Sequence, residues 1–175
     1  NITGFLGLTN NSETTTLGRG GSVRTVDYVK ENLPDDLNNF RIAFISDLQA
    51  DHYTDEGRLR NYIETVNTLE PDLVLIAGDF ITTGPEYINI SAELVGKLNA
   101  KHGIYSCVGD HDNWAYRGDV RKSRTEVKRA LKENNIGFVD NSQKMFRIGS
   151  AALEVTFVTY TYSGRIPRSM LDSLV

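Results

Sequence analysis

Three aspartates follow three compact apolar segments of the sequence at similar intervals. Asp47, Asp79 and Asp110 each stand where a buried strand is expected to end. In open α/β sheets the ligand crevice lies outside the carboxyl ends of the strands, so these side chains should converge at one edge. Carboxylates that share a small crevice repel one another, and the three motif segments contain no lysine or arginine. The pattern therefore predicts a site for one or two divalent metal ions.

A histidine between two acidic residues extends the third of these segments. His111 is flanked by Asp110 and Asp112, so it is a candidate acid or electrostatic group, and Asp112 could hold its tautomer. Gly78 and Gly109 precede two of the aspartates and permit a close backbone approach to a ligand. A lone aspartate after a strand is more often a turn or cap residue, and a lone histidine is more often structural. The combination favours a functional site.

The hydrophobic pattern predicts the elements that must position these residues. Apolar segments suited to strands alternate with stretches whose apolar residues recur at helical spacing, which is typical of βαβ units and a parallel sheet. Near the end of the sequence the spacing indicates a hairpin that turns at Gly149 and Ser150. We therefore predict an α/β fold with a mostly parallel β core flanked by helices. The predicted strands are residues 42–45, 73–77, 104–108, 145–148 and 153–160.

Length and composition exclude several classes of protein. The 175 residues are 39% hydrophobic and 24% charged, which is ordinary for a globular chain and atypical of disorder. The net charge of −4 argues against a nucleic-acid module, and no apolar run in the sequence is long enough to span a membrane. The single cysteine, Cys107, excludes an internal disulfide and an all-thiolate metal site. We expect residues 1–22 to form a flexible polar tail or linker and residues 23–175 to form the domain.

The motifs resemble the first three motifs of the calcineurin-like metallophosphoesterases. The similar segments are residues 45–49, 77–79 and 108–112, which correspond in position to Asp-x-His, Gly-Asp and Gly-Asn-His-Asp/Glu. Residues 33–34 and 101–105 also resemble the subgroup near bacterial membrane-associated metallophosphoesterases. The resemblance implies a two-sheet αββα sandwich. This chain would carry its amino-terminal portion, truncated at the C-terminal end.

The resemblance also implies a reaction and a role for each motif residue. A phosphomonoester or phosphodiester would be hydrolysed by attack of a metal-bound hydroxide on phosphorus. His111 would contact the phosphate and steady the leaving group, and Asp112 would orient His111. The implied metal ligands are Asp47, Gln49, Asp79 and Asp110.

Two substitutions and one absence set the sequence apart from the family pattern. Gln49 stands where the family has a ligand histidine, and Asp110 stands where it has asparagine. These changes favour oxygen-preferring ions, so we predict manganese first, with magnesium, zinc and iron left open. The family places three further histidine ligands downstream, whereas no histidine follows His111 here. The resemblance implies two metal ions in the full protein.

Three functional hypotheses remain open at this point. The first is a metal-dependent phosphoesterase, and the second is a metallophosphoesterase-like fold that acts as a binding or scaffold module without normal catalysis. The third, ranked lowest, is a phosphoaspartate receiver or another doubly wound protein with acids at its sheet edge. A phosphate-ester substrate is the expected partner. A C-terminal apolar stripe suggests self-association, and the polar start of the chain favours a membrane-associated or extracytoplasmic location with an upstream anchor or signal removed. That stripe comprises Ile166, Met170, Leu171 and Leu174.

Overall fold

The computed structural model of the protein describes residues 12–17, 21–158 and 169. Contacts within the chain divide it between Asn38 and Asn39 into two units. The predicted C-terminal apolar stripe lies outside the described residues, so self-association through it stays a prediction.

The amino-terminal unit contains a two-stranded antiparallel sheet. Strand β1 (Ser12–Leu17) pairs with strand β2 (Gly21–Val26), and a short 3-10 helix follows at Asp35–Leu37. We expected a flexible polar tail or linker through residue 22, whereas β1 and the first two residues of β2 form extended strands there. The run of β-branched threonines in β1 accounts for the difference, because such residues favour extended backbone. The predicted division into a tail and a domain beginning at residue 23 stays a prediction.

A four-stranded parallel sheet forms the centre of the second unit. Its strands are β3 (Ile42–Ile45), β4 (Leu73–Ile76), β5 (Ile104–Ser106) and β6 (Ile136–Phe138), hydrogen-bonded in that order. All three pairings are parallel, which confirms the predicted core. The sequence pattern missed β6, because this strand is only three residues long and has glycine at its centre.

Three helices connect the parallel strands, because consecutive parallel strands need crossover connections. They are α1 (Glu56–Thr68), α2 (Glu86–Val95) and α3 (Val120–Glu133). Aspartates cap two of them: Asp55 accepts a hydrogen bond from the Arg58 amide and Asp119 from the Lys122 amide. The helices bury apolar side chains in one core cluster with the sheet, including Leu59, Val74, Leu94, Val127 and Leu131.

An antiparallel hairpin follows the parallel sheet, as predicted. Strands β7 (Ser142–Ile148) and β8 (Ala151–Phe157) pair across a turn at residues 149–150. The ring of Phe146 packs edge-on against Tyr105 of β5, with 4.9 Å between the ring centroids. The hairpin therefore packs on the same unit as the parallel sheet. The complete two-sheet sandwich stays a prediction.

Candidate metal centre

Backbone hydrogen bonds join the loops that follow β3 and β4. The Gln49 amide donates to the Asp79 carbonyl at 2.9 Å, and the Ala50 amide donates to the Phe80 carbonyl at 3.0 Å. The Thr82 amide donates back to the Ala50 carbonyl at 3.1 Å. The parallel pairing of the two strands thus continues past their ends, and it places the first acidic motif beside the second.

Three residues in these two loops adopt left-handed backbone. The φ angles are 56° at Asp47, 45° at Gln49 and 56° at Asp79. This region is tolerated best by glycine, asparagine and aspartate, so glutamine is the unusual occupant. Strained residues of this kind are held by their surroundings and cluster at functional sites.

A pair of glycines lets the ends of β4 and β5 approach closely. Gly78 has a φ of 86°, and a Cβ there would lie 1.9 Å from the Gly109 amide nitrogen. A Cβ on Gly109 would lie 2.0 Å from Oδ1 of Asp79. Any side chain at either position would therefore displace the acidic motif. The sequence suggested a close backbone approach to a ligand at both glycines, and the approach seen here is between the two loops.

Asp79, Asp110 and His111 form a cluster with the composition of a metal site. One potential ligand atom from each lies within 4.8 Å of the others. The Oδ1 atom of Asp79 also accepts a hydrogen bond from the His111 amide at 3.0 Å. Burial, followed by the nearby charges of Asp112 and Asp110, raises the pKa of Asp79 to about 6 against the lowering effect of that hydrogen bond. A bound cation would relieve this crowding of negative charge.

No lysine or arginine supplies that positive charge in the described part of the chain. Its ion pairs join other residues, such as Arg60 to Glu56 and Arg124 to Asp140. Two carboxylates and an imidazole are ligands that divalent transition metals accept. The donor set and its uncompensated charge therefore both fit a divalent ion.

The imidazole of His111 is oriented by a main-chain carbonyl. Its Nδ1 atom lies 2.7 Å from the Thr82 carbonyl oxygen. A carbonyl oxygen only accepts hydrogen bonds, so Nδ1 carries the proton and Nε2 is left to bind a metal ion or another group. We expected Asp112 to orient His111, and the structure corrects this expectation. The only signal for Thr82 in the sequence is its position three residues after Asp79.

The carboxylate of Asp112 instead binds the backbone of both neighbouring loops. It is fully buried and accepts hydrogen bonds from the amides of Asp79 at 2.9 Å, Phe80 at 2.8 Å and Gly109 at 3.0 Å. Burial raises its pKa to about 6, although these amide donors act in the opposite direction. Asp112 therefore ties the loop after β4 to the loop after β5.

The other two predicted ligands lie in the loop after β3. The exposed Asp47 carboxylate accepts hydrogen bonds from the hydroxyl of Ser46 and from Nε2 of Gln49, the latter at 3.4 Å. Asp47 does not belong to the cluster of possible metal ligands found in the described residues. The structure thus brings together Asp79 and Asp110, adds His111 to them, and leaves Asp47 and Gln49 as predicted ligands.

A sequence model of the calcineurin-like phosphoesterases matches residues 40–167, which include the whole parallel sheet and every residue of the cluster. The chain belongs to the calcineurin-like phosphoesterase family.

Three relatives illustrate where the chain stands in the family. It is 32% identical over 95 residues to a transmembrane protein with metallophosphoesterase domain from Danio rerio. It is 29% identical over 124 residues to an uncharacterized metallophosphoesterase, Cj0846, from Campylobacter jejuni, and 35% identical over 81 residues to the UDP-2,3-diacylglucosamine pyrophosphatase LpxG from Chlamydia muridarum. These matches cover 54%, 67% and 46% of the chain. They cover only 21%, 32% and 25% of the respective relatives, so the chain spans about a third of their length or less.

The helices described here are too short or too polar to cross a bilayer, and none of them qualifies as a membrane span. The two longest, α1 and α3, have 13 and 14 residues, fewer than a transmembrane helix needs.

Proposed function

We propose that the protein is a metal-dependent phosphoesterase that hydrolyses a phosphomonoester or a phosphodiester. The observation that carries the proposal is the cluster of Asp79, Asp110 and His111 at the carboxyl ends of β4 and β5. It lies where ligands bind in parallel α/β sheets, in a chain of the calcineurin-like phosphoesterase family.

The two aspartates of the cluster would hold a divalent cation, with Asp47 and Gln49 contributing from the neighbouring loop. When bound, such ions supply Lewis acidity and lower the pKa of water. We propose two ions in the complete protein and manganese as the preferred metal. Support comes from the oxygen-rich ligand set that Gln49 and Asp110 create.

His111 would act through Nε2, because Nδ1 is engaged by the Thr82 carbonyl. The Nε2 atom can bind a cation or contact the phosphate and the departing oxygen. Both uses require the tautomer with its proton on Nδ1. Asp112 contributes indirectly, since it holds the amides of Asp79 and Gly109 in place.

The substrate class and the location extend the same proposal. The name of the chlamydial relative describes a pyrophosphatase of a UDP-linked sugar, which makes a nucleotide-sugar diphosphate a candidate substrate class here. A relative from Danio rerio is named as a transmembrane protein, which supports association with a membrane through segments other than the described helices.

The test is metal-dependent hydrolysis by this chain and by the complete product of its gene. The substrates are p-nitrophenyl phosphate, bis-p-nitrophenyl phosphate and UDP-N-acetylglucosamine, assayed with Mn²⁺ and with a chelator. The Asp79→Asn variant removes one charge from the cluster, and Glu133→Gln removes one from the exposed end of α3 as a matched control.

We expect hydrolysis that requires Mn²⁺, a loss of about 100-fold or more in Asp79→Asn, and no loss in Glu133→Gln. Hydrolysis that Asp79→Asn leaves unchanged would contradict the proposal. So would a complete gene product that binds Mn²⁺ and hydrolyses none of the three substrates.

A second candidate function is a binding or scaffold module that keeps the fold without normal catalysis. One observation favours it: Asp47 lies outside the cluster and receives a hydrogen bond from Gln49, the residue that replaces a family ligand. This candidate predicts phosphate-ester binding without turnover in the same assays.

A further inference from the structure

Thr82 connects the imidazole of His111 to the loop after β3. Its carbonyl oxygen lies 2.7 Å from Nδ1 of His111. Its hydroxyl lies 2.9 Å from Oδ2 of Asp51 and 3.1 Å from the Gln49 carbonyl. A hydroxyl has one proton to donate, and a carboxylate is the stronger acceptor, so Asp51 is its principal partner.

The Asp51 carboxylate is itself fixed by local backbone amides. Its Oδ1 atom accepts hydrogen bonds from the amides of Tyr53 and Thr54, each at 2.7 Å. The Asp51 amide also donates to the Thr54 carbonyl at 3.2 Å, which closes the loop. The oxygen that faces Thr82 therefore belongs to a constrained side chain.

We propose that Thr82 is a positioning residue for His111 and that Asp51 is the residue that holds Thr82 in place. Threonine is β-branched, so fixing its hydroxyl fixes χ1 and with it the Cα from which the carbonyl extends. The Thr82 amide is bonded to the Ala50 carbonyl at 3.1 Å, which restrains the same residue from its other side. The carbonyl then selects the imidazole tautomer with the proton on Nδ1.

The catalytic meaning of this arrangement rests on the proposed function, whereas the tautomer can be measured without it. His111 is one of three histidines in the chain, so its ring nitrogens can be assigned by ¹⁵N NMR with a His111→Gln variant. The spectra are recorded on the metal-free chain at about pH 8, where imidazole is in general neutral.

The variants change the side chains of Thr82 and Asp51 and keep the Thr82 main-chain carbonyl. Thr82→Val removes the hydroxyl and keeps the shape, Thr82→Ser restores a hydroxyl, and Asp51→Asn weakens the acceptor. Thr125→Val is the matched control, because the Thr125 hydroxyl bonds only to the Arg121 carbonyl within α3 in the described structure.

We expect the proton of His111 on Nδ1 in the wild type, in Thr82→Ser and in Thr125→Val. In Thr82→Val and Asp51→Asn we expect a measurable shift toward the Nε2-protonated form. A wild-type His111 protonated on Nε2 would overturn the proposal, as would an unchanged tautomer in both Thr82→Val and Asp51→Asn. If Thr82→Val does not fold, the comparison of Asp51→Asn with wild type decides.

Mn²⁺ affinity gives a second readout that a merely structural role would not move. Trp114 is the only tryptophan, and its ring lies 5.0 Å from that of His111, so its fluorescence reports Mn²⁺ binding at the cluster. We expect about a tenfold weaker Kd in Thr82→Val and Asp51→Asn, and a wild-type Kd in Thr82→Ser. An unchanged Kd in Thr82→Val and Asp51→Asn would overturn the positioning role. A normal tautomer response in a chain that binds no Mn²⁺ would support the positioning of His111 and count against the proposed function.

Discussion

The two loops that carry the acidic motifs differ in how firmly their side chains are held. At the end of β3, the Asp47 carboxylate is exposed, and its hydrogen bonds within the described residues come from its own loop, from Ser46 and Gln49. At the end of β4, Asp79 is partly buried. Its carboxylate accepts a hydrogen bond from the His111 amide, and its own amide donates one to the Asp112 carboxylate. The side chains at the β4–β5 end are thus held more firmly than those at the β3 end.

The firmer hold on the β4–β5 end comes from residues outside the candidate metal cluster. Gly78 and Gly109 permit the close approach of the loops after β4 and β5, and buried Asp112 bonds to both of them. In the described residues the corresponding link to the loop after β3 consists of backbone hydrogen bonds and the side chain of Thr82. How firmly a motif side chain is held therefore depends on the neighbouring residues that bond to its loop.

Removal of the Asp112 carboxylate should have the largest effect, a loss of stability at the β4–β5 end. Asp112→Ala leaves three buried amides without their acceptor, so we expect a loss of about 4 kcal/mol in the free energy of unfolding. Asp110→Ala is the matched control, because the Asp110 side chain accepts no hydrogen bond in the described structure; its cost should stay below about 1 kcal/mol. Urea denaturation measures both, and equal losses would contradict the role given to Asp112.

Added volume between the two loops should weaken metal binding. In Gly109→Ala the new methyl group would displace Asp79, so we expect at least a tenfold loss of Mn²⁺ affinity by titration calorimetry. Gly57→Ala is the control. A Cβ there meets only Oδ1 of Asp55 at 3.5 Å, and the change should leave the affinity intact while raising stability by about 0.5 kcal/mol. Wild-type affinity in Gly109→Ala would show that the close approach is unnecessary.

The raised pKa of Asp79 predicts a pH dependence of stability in the metal-free chain. Between about pH 4 and pH 6 the folded carboxyl keeps a proton that the unfolded chain has lost, so its contribution to stability falls as the pH rises. Asp79→Asn removes this effect, and the variant should gain about 1 kcal/mol on wild type between these pH values after allowance for solvent screening. Urea denaturation in chelator at both pH values measures it. Parallel profiles for the two proteins would contradict the raised pKa of Asp79.

The smallest expected effect concerns the backbone of the β3 loop. Gln49 has a φ of 45°, and asparagine tolerates left-handed backbone better than glutamine. We expect Gln49→Asn to stabilise the chain by about 0.5 kcal/mol in thermal or urea denaturation. A loss of stability would mean that the Gln49 side chain holds this loop more firmly than its 3.4 Å contact with Asp47 indicates.

Some parts of the site could be predicted from the sequence because they depend on periodicity. Apolar runs located the ends of β4 and β5, and the parallel topology then placed Asp79 near Asp110 and His111. The hydrogen-bond partners of Asp112 and His111 could not be predicted, because they are main-chain amides and a main-chain carbonyl. Residues of almost every type have these groups, and their directions depend on the local backbone angles. Strand β6 escaped prediction for a similar reason, since three residues show no period.

The central proposal is that the cluster of Asp79, Asp110 and His111 retains one divalent cation, to which Asp47 and Gln49 would add ligands without being required. The most direct test counts the Mn²⁺ ions retained after dialysis by wild type, Asp79→Asn and Asp47→Asn, using mass spectrometry. We predict at least one ion in the wild type, none in Asp79→Asn and an undiminished first ion in Asp47→Asn. Retention by Asp79→Asn, or loss of every ion in Asp47→Asn, would contradict the claim.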